Sequence, residues 1–132
     1  MVRYAVVYLA TLLVIGLLDA LWLGVIAKSW YAEGMGDLLA PKINIYAAAA
    51  FYLLYPVGVV IFAVLPSGDQ LGKAVLMGAL FGLFCYGTYD MTNLAVVRNW
   101  PVGLSFLDIA WGMTVSAAGA TAGLLASRWM NN

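Results

Sequence analysis

Three carboxylates, Asp19, Asp90 and Asp108, lie inside long apolar stretches of the chain, while all six Lys and Arg lie near the ends of those stretches or between them. An Asp at the centre of a membrane helix costs roughly 2.5–3.5 kcal/mol on insertion scales, so each needs a reason to be there. The chemistry open to such groups is acceptor chemistry: holding a cation, relaying a proton, or anchoring the donor groups of a polar ligand. Their neighbours fit that use. Tyr86 is four residues before Asp90 and Asn93 three after it, so they share a helix face within YGTYDMTN, and Tyr89 and Asn93 are also four apart. The pattern L-D-x-x-W occurs twice, at Asp19–Trp22 and Asp108–Trp111; Asp and Trp three apart share a helix face, and the indole N–H is a donor that could reach a carboxylate on a neighbouring helix. The candidate ligand or ion pocket is therefore Asp19, Trp22, Tyr86, Tyr89, Asp90, Asn93, Asp108 and Trp111. A hard cation such as Mg²⁺, Ca²⁺ or Mn²⁺ could use oxygen ligands from Asp19, Asp90 and Asp108, although no known metal-ligand spacing is present.

Other chemistry is excluded. The chain has no His, which removes histidine-ligated haem, zinc and copper and any Ser-His or Cys-His nucleophile. The single Cys85 forms no intramolecular disulfide and no CxxC motif, and reads as a small core hydrophobe. No catalytic residue stands out and no organic cofactor is indicated. No Lys/Arg run of the kind that binds nucleic acid is present.

Structural explanations compete with the functional one. Ser105-Phe106-Leu107-Asp108 has the spacing of a capping box, with Leu104 and Ile109 as its hydrophobic staple, and capping alone would explain Asp108. Asp19 and Asp90 could be interhelical glue, bonded to Tyr, Asn and Trp donors.

The elements that carry these residues are transmembrane helices. The 132 residues are 65% hydrophobic and 9% charged, with mean hydropathy +0.97. Soluble domains are nearer a quarter charged, so lipid is the solvent of this chain. Four apolar stretches, about 4–27, 43–65, 74–97 and 105–126, each exceed the ~20 residues that cross ~30 Å of hydrocarbon. Backbone hydrogen bonds must close locally there, so the expectation is an all-α polytopic protein, four helices in one bundle and one domain. The first stretch contains Asp19 and lacks a clear cleavage site, so it reads as a retained helix rather than a signal peptide. Trp30, Tyr31, Trp100 and Trp129 fall at span ends, where amphipathic rings favour the headgroup level.

Four spans put both termini and the 66–73 loop on one side, and the 28–42 and 98–103 loops on the other. Lys and Arg divide three against three, so the charge rule does not orient the chain. At 1.5 Å per residue, Asp19 and Asp90 lie about 5 and about 7 Å from their helix centres, and all three Asp are displaced toward the side of the 28–42 and 98–103 loops, the loop side. That depth match predicts one polar layer. The register of the two L-D-x-x-W motifs, late in the first helix and early in the fourth, argues against an inverted repeat. Pro56 should kink the second helix and free the Tyr52 carbonyl. Gly78/Gly82 and Gly119/Gly123 form GxxxG pairs suited to close packing inside the chain or in a homodimer.

Taken together, DALWLG, LLAPK, FYLLYPVG, YGTYDMTNLAVVRNWP and DIAWG resemble the bacterial family called domain of unknown function 2177, over nearly the whole chain. The resemblance implies a multi-pass protein of the bacterial inner membrane, with Asp19, Trp22, Asp90, Asn93, Arg98, Trp100, Pro101, Asp108 and Trp111 as the family's pattern. The resemblance also implies that members occur near lipid-modifying enzymes, and it implies no role for any of these residues. The functional expectation that leads is binding or transport of a cation, proton or small polar ligand. The alternatives are a membrane enzyme or lipid-binding protein of lipid metabolism, and an accessory subunit whose polar residues only lock its helices. The bilayer is the one partner that composition requires.

Overall fold

The computed structural model describes residues 1–131 and is helical almost throughout. Its helices are α1 (Val2–Leu21), α2 (Lys28–Met35), α3 (Ile45–Val59), α4 (Leu71–Val96) and α5 (Val102–Asn131). A wide turn at Trp22–Ile26 prolongs α1, and another at Val60–Val64 prolongs α3. Four of these rods are long and apolar enough to cross a membrane: Val2–Ile26, Ile45–Ser67, Leu71–Val96 and Val102–Asn131. The protein is an all-α polytopic membrane protein. The first three rods match their apolar stretches to within three residues at each end, whereas α5 outruns its own at both ends and continues through Ser127 and Arg128, because backbone bonding does not stop where hydropathy does.

Periodicity builds the bundle. On α1 the buried residues are Val7, Thr11, Ile15 and Asp19, a stripe of period four, while Leu9, Leu13, Leu17 and Leu21 form the opposite, exposed stripe. On α4 the buried residues Ala74, Gly78, Gly82 and Asp90 keep the same period. Both stripes face α5, whose own buried face is Ser105, Gly112, Ser116, Gly119, Ala120 and Gly123. Close approach is the reason for the small residues. A Cβ on Gly78 would press on Ser116 and Ala117, one on Gly82 would enter the Gly112 carbonyl, and Gly119 and Gly123 receive Ile15, Thr11 and Val7 of α1. Both GxxxG pairs are therefore occupied by packing within the chain.

The termini and the short 67–70 turn share one side. There Arg3 donates to Ser127 Oγ, and Arg128 binds the carboxylate and carbonyl of Asp69. This half of the bundle is dense: Val7, Ile15, Val59, Ala63, Val64, Val115, Ala120 and Leu124 are buried. Pro56 sits inside α3, and Tyr8 of α1 donates to the Leu53 carbonyl one turn before it, at 2.8 Å. A proline ring weakens the ladder in the turn before it, so an outside donor is well used there.

The other side differs from expectation. The 28–42 segment, whose Gly and Pro suggest a plain loop, contains α2, and α2 folds back over the helix ends toward α5.

Candidate functional site

Asp19, Asp90 and Asp108 lead out of the three packed stripes just where the small residues end, so the helix faces that pack the bundle also turn the carboxyls inward. All three line one cavity of about 500 Å³ in the loop-side half. Asp19 and Asp90 are buried, at 4% and 2% exposure.

Asp19 is fully engaged. Its Oδ1 accepts from Trp111 Nε1 at 2.6 Å and its Oδ2 from the Tyr52 hydroxyl at 2.9 Å. Bonds from donors to a carboxylate are among the stronger ones, so this triangle ties α1, α3 and α5 together. Asp108 accepts from the Tyr31 hydroxyl at 2.6 Å, and that hydroxyl in turn accepts from Trp22 Nε1 at 3.1 Å. Burial, then the bond to Asp108, pushes the Tyr31 phenol above the usual tyrosine range, which keeps it a donor. The indoles of Trp22 and Trp111 are stacked with centroids 4.5 Å apart and 5° between planes, so the two hydrogen-bonded chains are braced against each other. The wide turn that begins at Trp22 lies directly after the Asp19 turn, where an added residue changes the aim of the following side chains.

Asp90 is different. Its carboxyl faces that of Asp108 within hydrogen-bonding reach, yet its Oδ2 is buried and accepts from no donor group. Trp100 Nε1 is likewise buried with no acceptor. Both residues line the cavity through other atoms, while this oxygen and this nitrogen are closed off from it. Two carboxyls this close in an apolar setting are relieved by a shared proton or by a donor brought by a ligand. The floor is closed by Tyr55 bonded to Ser116 at 2.6 Å, and by the Tyr86 ring seated on Gly112.

The sequence-derived set divides. Asp19, Tyr86, Tyr89, Asp90, Asp108 and Trp111 line the cavity. Trp22 stands behind it, holding Tyr31 and stacking on Trp111. Asn93 does not line it; it is one turn beyond Asp90, and its carbonyl accepts the Val97 N–H that ends α4. The two threonines of YGTYDMTN also stay out, bonded to carbonyls of their own helix. The capping box is not formed. With α5 beginning at Val102, Ser105 is inside its first turn and bonds back to the Pro101 carbonyl, which leaves Asp108 free for Tyr31. Tyr31, Tyr52 and Trp100 complete the site. Tyr31 and Trp100 carry interface-type signals in sequence, and Tyr52 draws notice only for its carbonyl. Among the described residues, no three of His, Cys, Asp and Glu converge to hold a metal ion, because both Asp19 oxygens are already turned to Trp111 and Tyr52.

A family profile described as "Predicted membrane protein (DUF2177)" matches residues 4–125. No curated protein and no solved structure matches the chain.

Proposed function

The chain belongs to the predicted membrane protein family domain of unknown function 2177, and from that premise we propose that it binds a proton, cation or small polar ligand at the Asp90–Asp108 pair. The observation that carries this reading is the Asp90 carboxyl, buried beside Asp108 in the wall of a cavity and accepting from no donor group. A purely structural Asp would be satisfied by its neighbours, as Asp19 is. Tyr31 fixes one Asp108 oxygen, so a ligand donor would meet Asp90 and the second face of Asp108. Binding is favoured over conduction, since the Tyr55–Ser116 floor and the packed terminal half block a path beyond the cavity. The same proposal sets the protein in the bacterial inner membrane, on the strength of the resemblance.

The test is thermal unfolding of wild type and Asp90→Asn, with pH and mono- or divalent cations varied. Asn can donate to Asp108 and removes one of two facing charges, so the variant should unfold at the same temperature or higher. Stabilisation by protons or a cation, present in wild type and lost in the variant, is the expected result through mass-action linkage. A destabilised variant, with neither protein responding to pH or cations, would move the reading to an accessory subunit held by polar glue.

A further inference from the structure

The cavity is far larger than an ion needs, and something must fill it. A water and a chain methylene each take up ~30 Å³, so about 500 Å³ is room for roughly sixteen of either. Water fits the chamber poorly. A buried water needs about two to four polar partners, and the polar groups of this wall are largely bonded to one another: Tyr52 and Trp111 to Asp19, Tyr31 to Asp108, Tyr55 to Ser116. Between them the lining is apolar, with Leu23, Met35, Leu39, Phe51 and Leu104. An empty chamber forfeits the dispersion contacts of that wall. An alkyl chain restores them and asks for no hydrogen bond.

The chamber also opens sideways. α3 and α4 meet where the Tyr55 ring touches Phe81 and Tyr86, at centroid distances of 5.4 and 6.0 Å. Toward the loop side they part, because the backbone of α4 approaches the α3 rod mainly at the Val60–Val64 turn. One turn beyond the Tyr55 contact stand Phe51 on α3 and Tyr89 on α4, which line the cavity and are also exposed, at 40% and 53%. Phe51 is six residues from the start of α3 and Tyr89 seven from the end of α4, so the gap reaches roughly 10 Å below the helix ends at 1.5 Å per residue. The Ile45–Ser67 rod is 23 residues long, roughly 34 Å against ~30 Å of hydrocarbon, so that depth lies among acyl chains. We propose that the cavity takes one acyl chain of a bilayer phospholipid through the gap between α3 and α4, the headgroup staying outside at the interface. The volume admits the carbons of a single chain. Every charged residue in the wall is an Asp, which turns a phosphate away. Outside, Lys28, Lys42 and Arg98 are exposed on the same side and in no ion pair among the described residues, so the phosphate finds cations at its own level. The proposal uses the apolar wall and does not rest on the reading of Asp90–Asp108.

The experiment is photocrosslinking in nanodiscs of phosphatidylcholine whose acyl chain carries a diazirine near its middle, with adducts located by peptide mass spectrometry. Leu13 and Phe84 are exposed and report the lipid around the bundle. Asp19 and Tyr55 line the cavity and are shielded from that outer lipid, at 4% and 9% exposure, so they report a chain inside. Wild type should carry adducts on both pairs. Cys85 also lines the cavity, so Cys85→Phe places a ring in the chain's volume and should lose the inner adducts while keeping the outer ones. Asp90→Asn should keep both pairs, since the chain makes no use of that carboxyl. Wild-type adducts confined to Leu13 and Phe84 overturn the proposal, and this map decides alone if Cys85→Phe loses its helical circular dichroism. Inner adducts that persist in a folded Cys85→Phe overturn it as well. Inner adducts from a photoreactive free fatty acid, with none from the phospholipid, overturn the choice of occupant.

Discussion

Two glycines five residues apart on α4 should respond oppositely to the same substitution. A Cβ on Gly82 would fall well inside van der Waals distance of the Gly112 carbonyl oxygen and carbon, and 2.8 Å from Ser116 Oγ. Two of those atoms are backbone, which cannot swing aside. Ordinary contact begins near 3.4 Å, so α4 and α5 must part by roughly 1 Å, enough to forfeit a quarter to a half of each dispersion contact along that seam. Over-packing of this kind costs about 1–3 kcal/mol, offset by about 0.5–1 kcal/mol from the helical preference of Ala over Gly. Gly82→Ala should therefore be less stable than wild type by about 1–2 kcal/mol. A Cβ on Gly87 meets nothing within 4 Å, so Gly87→Ala should be neutral or more stable by up to about 1 kcal/mol. Unfolding of both variants in mixed detergent, followed by circular dichroism, measures the difference. Because parting the seam also draws Asp90 from Asp108, the cation- or proton-linked stabilisation should weaken in Gly82→Ala alone. Equal stabilities for the two variants would refute the close-approach account of α4 on α5.

Trp111→Phe keeps an aromatic ring against Trp22 but leaves Asp19 Oδ1 without its donor, and should cost about 1.5–3 kcal/mol in the same unfolding assay, more than Tyr52→Phe, whose bond is longer. Tyr31 sets a pH dependence. Its phenol is held above the ordinary range, so the folded state keeps that proton longer than the unfolded chain, and the associated stability is whole below about pH 10 and lost as pH rises beyond it. Wild type should lose stability more steeply than Tyr31→Phe in the alkaline range, and parallel slopes would show that the Tyr31–Asp108 bond does not carry the effect.

The four rods and the shared depth of the carboxylates are legible in the residues because both follow from one dimension, distance along a helix. Asp19, Asp90 and Asp108 stand out against apolar surroundings, and period-four spacing says which neighbours share their faces. The remainder depends on how elements cross, which spacing along one helix does not contain. Tyr31 looks like an interface ring because its segment holds Gly34, Gly36 and Pro41, yet α2 folds inward and makes it the partner of Asp108. Ser105 looks like a cap because the apolar run begins there, yet Pro101 allows the helix to start earlier. Asn93 shares a face with Asp90 but lies a turn too far along α4. Tyr52 donates across to Asp19, a partner 33 residues away that only the crossing of α1 and α3 supplies.

The bundle is built from two halves with opposite rules. Toward the termini, glycine and alanine bring α1 and α4 onto α5 until backbones touch, and no space remains. Toward the loops, the same faces carry Tyr86, Asp90, Asp108 and Trp111 in place of small residues, and side chains of that size hold the helices apart. A cavity is the geometric consequence, and the Asp19 triangle with Trp111 and Tyr52 is what keeps it from collapsing. Asp19 and Asp90 are alike in type, depth and burial, yet one is saturated by donors and the other is left with a bare oxygen. That contrast separates structure from function within a single layer: the tryptophan and tyrosine donors go to Asp19 and Asp108, and the Asp90 carboxyl between α4 and α5 is left without one.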